Sequence, residues 1–180
     1  HAGEDISVAE IVDRAKKQRP FWLNGGGVTF GGGEPMLQAE EVMEVVKKLR
    51  KANIHTAMET NASSPLLERF FGKVDLLICD LKCVSHDLHL RWTGHDNKKV
   101  LENLILAARE QSGLWIRVPL VPGLNDGDGE MDRIVSFLTA LPQRPDSLHI
   151  DILRMHHMGE PKYAALGIAY SMSAVTPTSA

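Results

Sequence analysis

The residues best suited to chemistry stand just after short apolar runs. Gly31-Gly32-Gly33-Glu34 follows Val28-Thr29-Phe30, Glu59-Thr60-Asn61 follows the run that ends at Met58, and Asp80-Leu81-Lys82 follows the run that ends at Cys79. Arg117 lies inside a fourth apolar run, and Arg154-Met155-His156-His157 follows a fifth. Glycines at 32 and 33 let backbone approach a ligand closely, with N–H groups free to bond it. Asp80 and Lys82, two residues apart at a strand end, point to the same side. A carboxylate and an ammonium placed so can grip the amino and carboxylate ends of an amino acid, with Glu59 assisting at the amino group. Arg117 within an apolar strand needs partners, because an unpaired buried guanidinium is costly. Glu59 and Asp151 are its candidates.

Each piece also has a plainer reading. The six glycines between residues 25 and 33 suit tight turns around a short strand. No G-K-[ST] follows them, and Phe30 and Met36 break a G-x-G-x-x-G pattern. A lone D-x-K is most often a surface ion pair, and Glu59 alone reads equally well as a solvated loop carboxylate. His156 and His157 are adjacent with no third ligand at helical spacing, a poor zinc signature. His86, His89 and His95 are expected on helix or loop surfaces. Cys79 and Cys83 are too few for a disulfide framework or for a metal cluster. Cys79 closes an apolar strand and reads as a packed core thiol.

These groups must be positioned by an alternation of helices and strands. Ser7 and Glu10 form an S-x-x-E capping box ahead of a helix to Lys17. Apolar stripes predict helices over 38–52, 87–92, 97–109 and 131–141, and Ser64-Pro65 predicts the start of another. Strands are expected at 28–30, 55–58, 74–79, 115–121 and 148–153. Residues 171–180 show no helical periodicity. Alternating β and α implies parallel strands with right-handed crossovers, whose carboxyl ends share one ligand-binding face. Periodicity leaves two α/β folds open, a partial (β/α) barrel and an open doubly wound sheet. The 180 residues suit one domain, and a net charge of −3 with a pI near 6.2 argues against a nucleic-acid partner. No apolar run approaches membrane-spanning length.

Taken together, the segments resemble the radical S-adenosylmethionine superfamily, and within it the activating enzymes of glycyl radical enzymes. Residues 25–38 match the family's G-G-V-T-F-S-G-G-E-P-L-L-Q almost position for position. Glu59-Thr60-Asn61 is similar to its D-T-N-G segment, Asp80-Leu81-Lys82 to D-L-K, and Thr93-Gly94 with Asn97 to T-G-x-x-N. Residues 115–123 match the next strand and loop, and His156, Gly159, Lys162 and Tyr163 fit H-x-x-G-x-x-K-Y. The resemblance implies a partial (β/α) barrel of about five parallel strands with outer helices. It implies that the Gly32, Gly33 and Glu34 backbone bonds the methionyl amino group of S-adenosylmethionine. It further implies that Glu59 and Asp80 contact amino and ribose groups, that Lys82 beyond Leu81 pairs with the carboxylate, and that Arg117 and His156 line the ribose and adenine side. A 4Fe-4S cluster, an electron donor such as flavodoxin or ferredoxin, and a partner resembling pyruvate formate-lyase belong to the same expectation, as does a cytoplasmic setting.

The departures shape the rest of the reading. No C-x-x-x-C-x-x-C loop exists in the chain, and Glu59 stands where the family has aspartate. Residues 1–180 are therefore expected to be a core piece truncated at both ends, lacking the first strand with its cysteine loop and the last helix, and inactive by itself. Two other functions fit parts of the pattern: a class I aldolase-type barrel using Lys82 as Schiff base, and a non-catalytic nucleoside-binding module.

Overall fold

The computed structural model describes residues 3–22, 25–142 and 148–177. Five parallel strands form one sheet: β1 (Gly27–Phe30), β2 (His55–Thr60), β3 (Leu76–Asp80), β4 (Leu114–Leu120) and β5 (Leu148–Arg154). The helices are α1 (Val8–Gln18), α2 (Ala39–Lys51), α3 (His86–Thr93), α4 (Lys98–Glu110), α5 (Asp128–Ala140) and α6 (Glu160–Ala165). The strand order β1-β2-β3-β4-β5 runs one way without reversal. A doubly wound sheet reverses its order at a switch point, so the partial barrel is the architecture.

Right-handed crossovers in a one-way order put the connecting helices on the same face. That face carries the core: Met58, Leu77, Cys79, Ile116 and Val118 pack against Val46, Leu104 and Ile134 of the helices. A smaller cluster, Val12, Ala15, Val45, Leu49 and Ile54, seats α1 on α2. The opposite face shows Thr29, Glu59, Asp80, Trp115, Arg117 and Asp151 partly or fully open. Register brings its polar members together, because Asp80 pairs with Arg117 and Arg117 with Asp151 on successive strands.

Two local expectations change. Only one arm of the capping box forms: Ser7 Oγ accepts from the Glu10 N–H at 3.2 Å, while the Glu10 carboxylate takes Arg14 at 2.9 Å. An i,i+4 ion pair on the exposed face outcompetes the reciprocal bond. The helix expected after Ser64-Pro65 is a single 3-10 turn, Leu67–Phe70. Ser64 Oγ still accepts from the Leu66 N–H, but Gly72 at φ +64 turns the chain away. The Gly72 N–H then bonds Gln111 Oε1 at 2.9 Å, and Gln111 Nε2 donates to the Val74 carbonyl at 2.8 Å. Fully buried Leu67 and Phe70 plug the core where a helical stripe would have lain. Residues 171–177 are turns and irregular chain, and 178–180 lie outside the described residues.

Candidate functional site

At the carboxyl ends of β1 to β4, a cavity of about 350 Å³ is lined by Gly32, Gly33, Glu34, Glu59, Asp80 and Arg117. The glycine loop leaves β1 with Gly32 at φ +95, a conformation closed to most side chains. A Cβ on Gly33 would meet nothing within 4 Å, so the loop backbone is open to an incoming group. Neither the Gly32 nor the Gly33 N–H has a protein acceptor among the described residues. The Glu34 side chain is already engaged. Its Oε1 accepts from the Thr60 hydroxyl at 2.7 Å and the Met36 N–H at 3.1 Å, and Oε2 from the Asn61 N–H at 2.9 Å. Glu34 thus braces the loop against the end of β2 and leaves binding to the backbone.

Arg117 rises from the middle of β4 and donates from Nη1 to Glu59 Oε1 at 3.0 Å, reaching over β3 to β2. The longer glutamate, one methylene beyond aspartate, helps span that gap. Of the two partners expected, Glu59 is the one engaged; Asp151 bonds His149 at 2.8 Å. The Arg117 Nε is buried with no hydrogen-bond partner. Arg117 lines the cavity, and a buried charged donor without a partner among the described residues calls for an acceptor that these residues do not supply. Asp80 holds Lys82 Nζ at 2.9 Å, both about two-fifths exposed. Leu81 between them turns fully into the core, and its N–H bonds the Arg117 carbonyl at 2.8 Å.

His156 does not reach this cavity. It is exposed, and its Nδ1 accepts from the Met158 N–H at 3.3 Å, a local turn after β5. A residue of the same segment comes instead: Lys162 Nζ reaches the Gly32 carbonyl at 3.4 Å. Its place in the H-x-x-G-x-x-K-Y stretch was the available signal. His89, expected at the surface, is buried, with Nδ1 donating to the His95 carbonyl at 2.8 Å. It borders a second cavity of about 460 Å³ that Asp80 and Lys82 also line.

Both cysteines are buried. Burial is the main cause that pushes the Cys83 thiol up to about 11, with the Glu130 carboxylate adding to it, and burial drives Cys79 higher still. At pH 8 only about one Cys83 in a thousand would be thiolate. Alkylation by iodoacetamide at pH 8 is accordingly expected to be at least tenfold slower in the native chain than in urea. Equal rates would show these thiols to be accessible.

Glycine amides, paired carboxylates and a lysine at parallel strand ends define the class. Residues 1–135 match the model of the Radical SAM superfamily, and the chain belongs to that superfamily, among the activating enzymes of glycyl radical enzymes. It is 37% identical over 171 residues to the 4-hydroxyphenylacetate decarboxylase activating enzyme of Clostridioides difficile (strain 630), covering 93% of this chain and 53% of that one. It is 31% identical over 182 residues to pyruvate formate-lyase 1-activating enzyme of Escherichia coli (strain K12), covering 98% and 73%. The crystal structure of a domain of pyruvate-formate lyase-activating enzyme from Bacteroides vulgatus superposes with a TM-score of 0.60 at 29% identity, over 69% of this chain and 78% of that one. The chain spans about half the length of the first of these relatives.

The superfamily uses S-adenosylmethionine and a 4Fe-4S cluster. The site fits the first. Gly32, Gly33, Asp80 and Arg117 line the cavity of about 350 Å³, while Lys82, bound to Asp80, lines the neighbouring cavity of about 460 Å³ that shares Asp80 with it. Free N–H groups, a carboxylate and two cations across the two suit an amino acid joined to a nucleoside. The cluster does not fit this chain's residues. Cys79 and Cys83 are its only cysteines, both are buried, and no three-residue metal-ligating group occurs among the described residues.

Proposed function

We propose that this chain supplies the S-adenosylmethionine site of an activase that generates a glycyl radical on a partner enzyme of the pyruvate formate-lyase kind. The observation carrying this reading is the convergence of four strand ends on one cavity with the Arg117 Nε left unpaired. S-adenosylmethionine, when bound, supplies a sulfonium carbon–sulfur bond whose one-electron cleavage leads to hydrogen abstraction. The protein's part is to bind, orient and exclude water. The Gly32 and Gly33 backbone carbonyls and the Glu59 and Asp80 carboxylates accept from the amino and ribose groups, Lys82 takes the carboxylate, and Arg117 sits toward the nucleoside. His156 would join the adenine side only by leaving its turn.

In this reading the electron comes from a flavodoxin or ferredoxin in the cytoplasm. The cluster thiolates come from outside this sequence, so the 180 residues alone are not expected to cleave S-adenosylmethionine. A Schiff-base role for Lys82 has little support, since its ammonium lies in a partly solvated ion pair with Asp80 rather than in the desolvated pocket such a lysine uses.

Calorimetric titration of the chain with S-adenosylmethionine tests the site. Binding is expected, weakened about tenfold or more in Lys82→Ala as a charge-assisted contact is lost. Equal affinity in that variant would remove Lys82 from the site.

A further inference from the structure

Three buried polar side chains from three different parts of the chain close on one short segment. Asn125, 1% exposed in the loop after β4, donates from Nδ2 to the Lys82 carbonyl at 2.7 Å and the Pro119 carbonyl at 2.8 Å. Its Oδ1 accepts from the Val121 N–H at 2.7 Å. Asn97, 2% exposed before α4, donates to the Cys83 and Val84 carbonyls, both at 2.9 Å. Glu130, 5% exposed in α5, accepts from the Val84 N–H at 2.6 Å and the Ser85 N–H at 3.1 Å. Five backbone groups between Lys82 and Ser85 are thereby fixed by side chains.

From this cage we infer that Asn125, Asn97 and Glu130 are positioning residues for Lys82, holding its backbone so that its ammonium is aimed before the cofactor arrives. Loop backbone can usually find water as a partner; here buried side chains replace water, and the segment has one arrangement. Residue types fit the task. Three carbonyls need amide donors, which the two asparagines supply, and two N–H groups need a carboxylate, which Glu130 supplies. Asn125 has the widest reach, because it also ties the end of β4, the strand of Arg117, to the end of β3. Lys82 and Arg117, at opposite ends of the bound molecule, are set relative to each other through one amide. A long lysine is an imprecise contact unless its root is fixed, and fixing the root lowers the ordering cost of binding.

The inference rests on the reading that Lys82 pairs with the cofactor carboxylate, and the test separates the two. S-adenosylmethionine and 5′-methylthioadenosine, which lacks the amino-acid carboxylate, are titrated into wild type, Asn125→Ala, Lys82→Ala and the double variant. Asn125→Ala is expected to weaken S-adenosylmethionine about tenfold, the lower range for outer partners of a ligand-holding group, and to leave methylthioadenosine within twofold. In the Lys82→Ala background it should cost less than twofold more. Independent losses that multiply, or equal losses for both ligands, would overturn the positioning role while leaving the site intact. Absence of S-adenosylmethionine binding by wild type would overturn the reading and the inference together. Asn125→Asp, close in volume but stripped of both donors, replaces the alanine variant if that one does not fold. Hydrogen exchange on wild type is a separate arm: the Val84 and Ser85 amides are expected to be protected at the level of the sheet, and fast exchange there would overturn the cage.

Discussion

Gly27→Ala is expected to break the amino-terminal edge of the sheet, at a cost on the order of 4 kcal/mol and a fall in Tm of roughly 10 °C. Gly27 opens β1 and pairs with His55 of β2. A Cβ there would stand 2.0 Å from the His55 carbonyl oxygen and 2.7 Å from its carbon. Both are backbone atoms, so no rotamer change relieves the overlap. Neither strand is free to shift, since Val28 and Phe30 pack against the cluster under α1 and α2. The glycine loop follows β1 directly, so the proposed S-adenosylmethionine site would be lost with the strand. Gly33→Ala is the control: nothing lies within 4 Å of its added Cβ, and stability should stay within about 0.5 kcal/mol. Urea and thermal melts of both variants decide the matter, and a Gly27→Ala chain that melts like wild type would refute the β1–β2 register.

Much of this architecture is written in local patterns. Leu77 and Cys79 are buried under the helices and Ile78 is also buried on the opposite face, so β3 is apolar without alternation. The stripe of Ala39, Met43, Val46 and Leu49 is the buried side of α2. What periodicity does not carry is the order of the strands, which depends on long-range pairing; barrel and doubly wound folds share the same local code. The turn at Leu67–Phe70 is a tertiary override. A proline-led start reads as a helix until Gly72 and the distant Gln111 take the chain elsewhere.

The residues of the candidate cavity could be placed from sequence where they follow strands, since topology brings Gly32, Glu59 and Asp80 to one rim, which Arg117 joins from within β4. The supports of that rim were less legible. Asn125 and Glu130 look like ordinary polar residues of a loop and a helix, and their roles exist only once segments more than forty residues apart are in contact. His89 misled for a related reason: a histidine in a short polar-looking helix reads as surface, yet the turn at Thr93–His95 folds over it. His156 shows the converse, a motif residue whose side chain is spent on its own turn.

Glu34→Ala should have the largest effect on binding, because Glu34 is the brace between the glycine loop and the end of β2. Its removal strands the Thr60 hydroxyl, the Asn61 N–H and the Met36 N–H at once. Donors left without partners in a partly buried setting cost about 1 kcal/mol each, so a stability loss of about 3 kcal/mol is expected in urea. The chain beyond is already held against its preference: Ala62 sits at φ +60, kept there by its N–H bonding Thr60 Oγ1 at 3.1 Å. A freed Thr60 hydroxyl no longer fixes that turn, and the wall formed by Thr60 and Asn61 loosens with the loop opposite. A displacement of about 1 Å at such a rim costs roughly a hundredfold in productive geometry, and a similar loss of S-adenosylmethionine affinity is expected. Glu34→Gln separates brace from charge. Its carbonyl oxygen can still take the Thr60 and Met36 donors, while its amide faces the Asn61 N–H without an acceptor. The loss should then fall between wild type and alanine, in stability and in affinity alike. Wild-type affinity in the alanine variant would show that the loop holds its shape without this carboxylate.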